Sequence, residues 1–362
     1  MEKIGFWDIV RSFEARWFMS VMSTGAVGIF TQIIAKHFDS PFLKGLANLF
    51  VLLAFVFLIL VSVFFTLRIF KFFDSVLKDL QHPIAANFFA GINISLAVLA
   101  TAVLNVLIPN GVVSQSFGLL LAKWLYILAL IIGLFLLVLV PVMLIISKKV
   151  ETKHAIGIWF LPPVGMFVVA FAGNFLAIHN VMRDFIIHFN MFLFGPALIL
   201  YFLILNLIYY RLKFHPLPAP EVAPSFVIGL APVGVSVIAF FSYVKLLKVS
   251  NATFLNLEVA GNLAEIFASV VYGFGFWWFL VTFIILSYYI IKHKIPYTLG
   301  FWAFVFPIAA FGIGTTFFKF KFMFYVSLFI WLLVLGIWCF VFTKTLISII
   351  NKKAFIRPKV IN

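Results

Sequence analysis

Charge is what this sequence has least of. Only 10% of its 362 residues are Asp, Glu, Lys or Arg, against 65% hydrophobic residues and a mean hydropathy of +1.20. A soluble domain is about a quarter charged, so a soluble globular protein is excluded and a polytopic membrane protein is predicted. Acids are scarcest, 11 against 26 Lys and Arg, and the formal net charge is +15. Cysteine is nearly absent: Cys339 stands alone in an apolar run, so an internal disulfide or a thiolate metal cluster is excluded. The seven histidines (37, 82, 154, 179, 188, 215 and 293) fall near segment ends or in loops, none at metal-ligand spacing. A membrane enzyme acting on lipid would need clustered acids, histidines or a metal at one membrane face, and no such cluster is visible, so neither enzyme chemistry nor a metal or other cofactor is expected. Gly273-x-Gly275 and Gly312-x-Gly314 follow no soluble strand and are not dinucleotide fingerprints.

What is there is a series of apolar runs. Charged residues cut the chain into ten, at 18–35, 46–67, 83–107, 119–146, 155–178, 190–210, 222–244, 264–291, 297–317 and 324–350. Each can cross about 30 Å of hydrocarbon, and a lipid-exposed crossing must be helical to satisfy its own backbone. An N-terminal segment, 1–17, precedes them. It carries acids and no clean apolar core, unlike a cleavable leader, and Trp7, Val10, Glu14 and Trp17 predict a short amphipathic helix on the membrane surface. The organisation expected is therefore 1–17 amphipathic, 18–350 ten-helix transport domain, and 351–362 a short basic tail. With ten crossings, 18 of the 26 Lys and Arg lie on the side of the termini and 8 on the other. Positive loops face the cytoplasm, which predicts cytoplasmic termini. The basic residues sit between apolar runs, so nucleic acid is not expected as a partner; their surplus at the mouths attracts anions.

The stretch from Phe301 to Phe317 anchors the rest. Pro307 interrupts it directly after the bulky Phe306, and a proline inside a helix removes a hydrogen bond and kinks it. Two earlier stretches repeat the pattern, Pro163-Val-Gly to Phe171 and Pro232-Val-Gly to Phe240, at proline spacings of 69 and 75 residues. That spacing matches a repeated helical hairpin. Five hairpins can close into a ring, with kinked odd helices inside and straighter even helices outside, the usual way a transport pathway is built; Pro141 and Pro196 on even segments soften the contrast. None of Asp, Glu, Lys or Arg occurs between Arg16 and Lys36, Asp79 and Lys123, Lys153 and Arg183, Glu221 and Lys245, or Lys294 and Lys319. Those intervals contain all five odd segments. Their polar content is hydroxyls and amides, including Ser23, Thr24, Asn87, Asn93, Thr101, Asn105, Ser225, Ser236, Thr315 and Thr316. Singly, such groups bond their own helix or glue helices together; collectively they suit a pore that passes an ion without holding it tightly. Ser23, Thr24, Gly25, Asn87, Asn93, Ser236 and Thr315 are the pore-lining candidates, with Pro163, Pro232 and Pro307 as kinks. Only the ninth segment puts a large ring before its proline, since Pro162 and Ala231 occupy the matching positions. An apolar ring in a narrow pore blocks ions by dewetting, which makes Phe306 the gate candidate.

Five motifs carry a resemblance. Trp17-Phe18 leading to Met22-Ser-Thr-Gly-Ala26, His82-Pro83 with Asn87-Phe-Phe89, Trp159-Phe-Leu-Pro-Pro163, Ala231-Pro232 and Trp302-Ala-Phe-Val-Phe-Pro307 lie in order on the odd segments. Together they resemble the tellurite-resistance/dicarboxylate transporter family, which includes malic acid permeases, sulfite efflux pumps, tellurite-resistance membrane proteins and plant slow anion channels. Ser23 departs from that pattern where glycine is usual. The resemblance implies a homotrimer of ten-helix protomers in the cell membrane, each with a pore inside the odd helices occluded by the phenylalanine matching Phe306. It implies an anionic substrate: malate or another dicarboxylate, sulfite, nitrate or chloride. It leaves open a channel, a proton-coupled malate symporter or a sulfite exporter. Coupled transporters usually carry an intramembrane carboxylate or histidine relay, and the odd segments have none.

Overall fold

A computed structural model describes residues 5–251, 254–293 and 295–356. The ends of the expected N-terminal segment and basic tail, 1–4 and 357–362, lie outside them. The described residues are helical, with no strand among them. A short helix α1 (Phe6–Ser12) is followed by α2 (Phe18–His37), α3 (Pro41–Lys71), α4 (Phe73–Leu80), α5 (Ala90–Ala102) and α6 (Gln115–Ser147). Then come α7 (Leu161–Ile178), α8 (Arg183–Phe214), α9 (Leu230–Ser250), α10 (Leu257–Lys292), α11 (Trp302–Thr315) and α12 (Lys321–Ile350). Among the described residues nine helical stretches are long and apolar enough to cross a membrane; the stretch Leu299–Thr315, within the expected ninth segment, is apolar but shorter.

Burial divides these helices into two sets. In the stretches that contain α2, α5, α7 and α9, 83–94% of the most apolar window is buried, whereas in those of α3, α6, α8, α10 and α12 it is 28–33%. The short α11 belongs with the first set, since every residue from Trp302 to Thr315 except Phe304 is buried. The buried helices touch one another in a closed cycle, α2–α5–α7–α9–α11 and back to α2. Each exposed helix packs on the buried helix next to it in sequence. Their outward faces carry large apolar side chains such as Phe135, Phe192, Ile284 and Phe329, each more than 60% exposed, the expected covering of a helix that meets lipid rather than water.

The two sets also begin differently. Each buried helix follows a 3₁₀ segment: Ala15–Trp17, Ala85–Phe89, Gly157–Phe160, Pro220–Gly229 and Leu299–Phe301. These five segments touch in the same cyclic order and form a collar at one end of the ring. The tight approach explains Gly157, where a Cβ would stand 1.8 Å from the Ser225 carbonyl oxygen. Three exposed helices instead start from side-chain caps, Ser40 on Leu43, Ser114 on Phe117 and Asn256 on Glu258 and Val259, which satisfy orphan N–H groups. The collar also corrects the reading of two prolines. Pro163 and Pro232 stand in the first turn of α7 and α9, directly after the 3₁₀ lead-in. There a missing N–H costs little, so they mark a junction and do not kink a helix interior. Pro307 does stand inside α11.

Polar bonds lock the layers together. Indole N–H groups of Trp331 and Trp338 on α12 donate to Thr31 and Thr24 on α2, at 3.1 and 3.0 Å. Asn190 on α8 donates to Asn174 on α7, which donates to Ser242 on α9. At the collar end the fully buried Arg68 of α3 donates from Nη2 to Asp79 Oδ2 at 2.6 Å and from Nε to the Arg11 carbonyl at 2.9 Å. One guanidinium thus ties α1, α3 and the end of α4. Removing one partner of a buried ion pair costs about 3–5 kcal/mol, so Arg68→Ala is expected to lower the melting midpoint of the purified protein sharply. Arg68→Lys should rescue little, because a lysine lacks the planar fork that serves both acceptors. An Arg68→Ala protein melting with the wild type would show the tie to be dispensable.

Candidate functional site

The axis of the five-helix cycle is where the chain encloses space. At the collar end lies a small cavity of about 30 Å³, to which every 3₁₀ segment contributes: Arg16, Phe88, Ile158, Ser225 and Gly300. Glu221 lines it too. Arg16 is buried beside Glu14, to which its Nε donates at 3.0 Å, and its guanidinium lies 5.5 Å from the Phe88 ring centroid. The mouth therefore holds a cation already partnered by a carboxylate and a ring.

A larger cavity of about 250 Å³ occupies the other half of the ring. Each buried helix contributes to its wall: Ile29, Val98, Phe171, Ile238 and Ala310 are examples from α2, α5, α7, α9 and α11. The polar positions are Gln32, Thr101, Asn105, Ser242 and Thr316, and Lys36 and Lys245 stand at the rim. Asn105 lies in a π-helical turn, Val103–Leu107, that ends α5. Such turns widen a helix locally and recur at functional sites; here the turn carries the Asn105 amide to the cavity wall.

On α11, Phe306 is the residue of the larger cavity's wall nearest the collar. It lines that cavity, while Ala303, on the same helix and nearly one turn earlier, lines the collar cavity. Its side chain is 2% exposed. Pro307 follows it, so the Ala303 carbonyl is left without its usual helical donor at this level. The region is uncharged apart from the two mouths.

The other candidates from the sequence lie elsewhere than on the cavity walls. Ser23 Oγ donates to the Trp302 carbonyl at 3.1 Å and fastens α2 to α11. Thr24 accepts from Trp338. Gly25 faces Val98 across α2 and α5, where a Cβ would stand 2.8 Å from a methyl group. Asn87 donates to the Pro83 carbonyl and borders a lateral groove between α6, α7 and α8. Asn93 lies against Gly133 and Gly165, between α6 and α7. Ser236 and Thr315 donate to carbonyls of their own helices, Val233 and Gly312. The cavity's polar groups come instead from Gln32, Thr101, Asn105, Ser242 and Thr316, and its charges from lysines that in the sequence only mark the ends of uncharged intervals. Beyond the rim, at the end of α7, His179 titrates below the ordinary histidine range because it is partly buried and, secondarily, because Lys245 is near.

Three comparisons bear on this arrangement. The family model described as voltage-dependent anion channel (SLAC1) matches residues 12–346. An uncharacterized transporter of Methanocaldococcus jannaschii is 30% identical over 362 residues, covering 96% of both chains. A second from the same organism is 29% identical over 358 residues, 96% of this chain and 97% of the relative. A sulfite efflux pump of Arthroderma benhamiae is 24% identical over 367 residues, 96% of this chain and 94% of the pump.

Proposed function

Because the chain belongs to the SLAC1 family of anion channels and transporters, we propose that it conducts small anions along the axis of its five buried helices, past a gate formed by Phe306. In this reading Leu299–Thr315 is a tenth crossing. Its 14 α-helical and three 3₁₀ residues span roughly 27 Å, close to the hydrocarbon thickness. The five hairpins then form two concentric rings, the buried helices lining the pathway and the exposed ones meeting lipid. Both termini and the collar face the cytoplasm of the cell membrane, as the lysine and arginine bias supports. Protomers associate as homotrimers through the exposed helices, each keeping its own pathway.

The observation that carries this reading is a buried phenylalanine, Phe306, on the wall of the larger axial cavity at its end nearest the collar, with a second cavity at the collar itself. Anions are drawn to basic mouths and pass a neutral, mostly apolar interior, where weak contacts allow release as well as binding. The five buried helices also start at the collar, so their positive dipole ends converge at that mouth. The anion is one of chloride, nitrate, sulfite or a C4-dicarboxylate such as malate; the sulfite efflux pump among the relatives supports including sulfite.

The test is flux. Purified protein in liposomes is expected to carry at least one of these four anions above protein-free background. If neither the wild type nor Phe306→Ala carries any of them, the anion pathway is the wrong reading. Malate uptake that follows an imposed pH gradient would instead identify proton coupling, with the substrate bringing its own proton as a monoanion.

A further inference from the structure

The larger cavity has an unusual charge arrangement at its rim. Lys36 comes from the last turn of α2 and Lys245 from α9, helices that are not neighbours in the cycle because α11 stands between them. Both side chains line the same cavity. Neither makes an ion pair among the described residues. The acid that follows shortly after Lys36 is taken, since Asp39 is held by Lys44 at 2.7 Å. A basic residue near a helix C-terminus is ordinarily explained by the helix dipole. That accounts for a lysine on each helix, but not for two like charges turned toward one mouth with no carboxylate between them.

The donors deeper in the cavity sharpen the point. The hydroxyl protons of Thr101, Ser242 and Thr316 are directed to carbonyls of their own helices, Ala97, Ala239 and Ile313. Gln32 and Asn105 each commit an amide N–H, to Asn110 and to the Thr101 carbonyl. Among the described residues that line this cavity, the two ammonium groups are the strong donors left uncommitted. An anion lying between them would satisfy both and cancel their repulsion.

We propose that Lys36 and Lys245 form a bridging site that captures doubly charged oxyanions at the mouth opposite the collar, one ammonium on each charged end or oxygen pair. The proposal rests on the anion-pathway reading for its purpose, but the site is defined by its own geometry and binds whether or not transport follows. A dianion engages both ammonium groups at once; a monoanion such as chloride engages one at a time. Sulfite in its doubly charged form and the malate dianion share this chemistry. The aromatic wall below, Phe171, Phe175 and Phe317, offers nothing further to a charge, so the anion is held at the rim until it loses water and moves inward.

The experiment measures binding and flux on the same preparations. Purified wild type, Lys36→Gln, Lys245→Gln, the double variant and a double Lys→Arg variant are titrated calorimetrically at mildly alkaline pH with sodium sulfite, sodium malate and sodium chloride. Melting curves establish that each variant is folded. An exposed ion pair contributes at most a few-fold in affinity, so each single variant is expected to weaken malate and sulfite by about threefold and the double variant by about tenfold. Chloride should weaken less, and the double arginine variant should retain dianion binding. Equal dianion affinity in wild type and the double glutamine variant would overturn the site, as would a loss as large for chloride as for malate, which would mean a diffuse positive field. Wild type that binds none of the three anions would overturn it too. Flux separates this from the larger reading: anion flux with unaltered dianion affinity in the double variant removes the site and leaves the pathway, whereas lysine-dependent binding without flux removes the pathway and leaves the site.

Discussion

Phe306→Ala is expected to open a leak. On the proposed gate reading, replacing the ring with a methyl group removes the apolar barrier at the collar-facing end of the larger cavity. Every ~1.4 kcal/mol taken from the barrier is tenfold in rate, and a ring that excludes water imposes more than that on a charged ion. The variant should therefore pass chloride and nitrate at least about tenfold faster than wild type in liposomes, with wild-type background in empty vesicles. A control is needed, because large-to-small changes of buried phenylalanine also loosen a fold, by about 3–5 kcal/mol. Phe311 provides it. It lies on the same helix and is as buried, 1% exposed, but it stacks on Tyr272 of α10 with ring centroids 4.6 Å apart, away from the axis. Phe311→Ala should lower the melting midpoint and leave the leak at wild-type level. If both variants leak alike, the conductance reports general loosening, and Phe306 is packing rather than a gate.

The contrast between these two phenylalanines shows what could and could not be read from the chain. Phe306 stood out because a proline follows it, and a proline fixes one position along a helix. Nine of the ten apolar segments and the five uncharged intervals were equally legible, since crossing lipid forbids charge and demands length; the stretch Leu299–Thr315 is shorter. The collar was not. Whether a lead-in is 3₁₀ depends on the neighbouring lead-in, as at Gly157 against the Ser225 carbonyl, and that contact joins residues from different hairpins. Nor could the sequence say which way the hydroxyls point. A helix buried all round has no polar stripe to mark a face, so Ser23, Thr24 and Asn93 resembled pore residues as much as Thr101 and Asn105 did. The structure separates them: Ser23 and Thr24 fasten helices together, Asn93 packs between α6 and α7, and Thr101 and Asn105 line the cavity. Lys36 and Lys245 were visible as charges, but a charge at the end of an apolar run first reads as a topology signal. Only the fold brings the two to one rim.

A second large effect is expected at Gly234, and it tests the ring itself. A Cβ built on Gly234 would stand 2.3 Å from the carbonyl carbon and oxygen of Ala310 and 2.5 Å from the Phe311 nitrogen. These are backbone atoms, so no rotamer change can relieve the clash; α9 and α11 must move apart. Overpacking in a close-packed interior costs about 1–3 kcal/mol when side chains can adjust, and here they cannot, so Gly234→Ala is expected to cost about 3 kcal/mol or more. The same substitution at Gly336, on the exposed face of α12 where nothing lies within 4 Å, should act in the opposite direction, because alanine is the better helix former by up to about 1 kcal/mol. Thermal melts of the two purified variants should therefore fall on opposite sides of the wild type. The change at Gly234 also reaches the pathway: Val235, the next residue, and Ile238, a turn later, line the larger cavity with Phe306 and Ala310. Widening the α9–α11 contact thus shifts the cavity wall around Phe306. A Gly234→Ala protein that melts with the wild type would mean that the spacing of α9 and α11 is set by other contacts, and that the cycle of five helices is looser at this joint than the backbone approach implies.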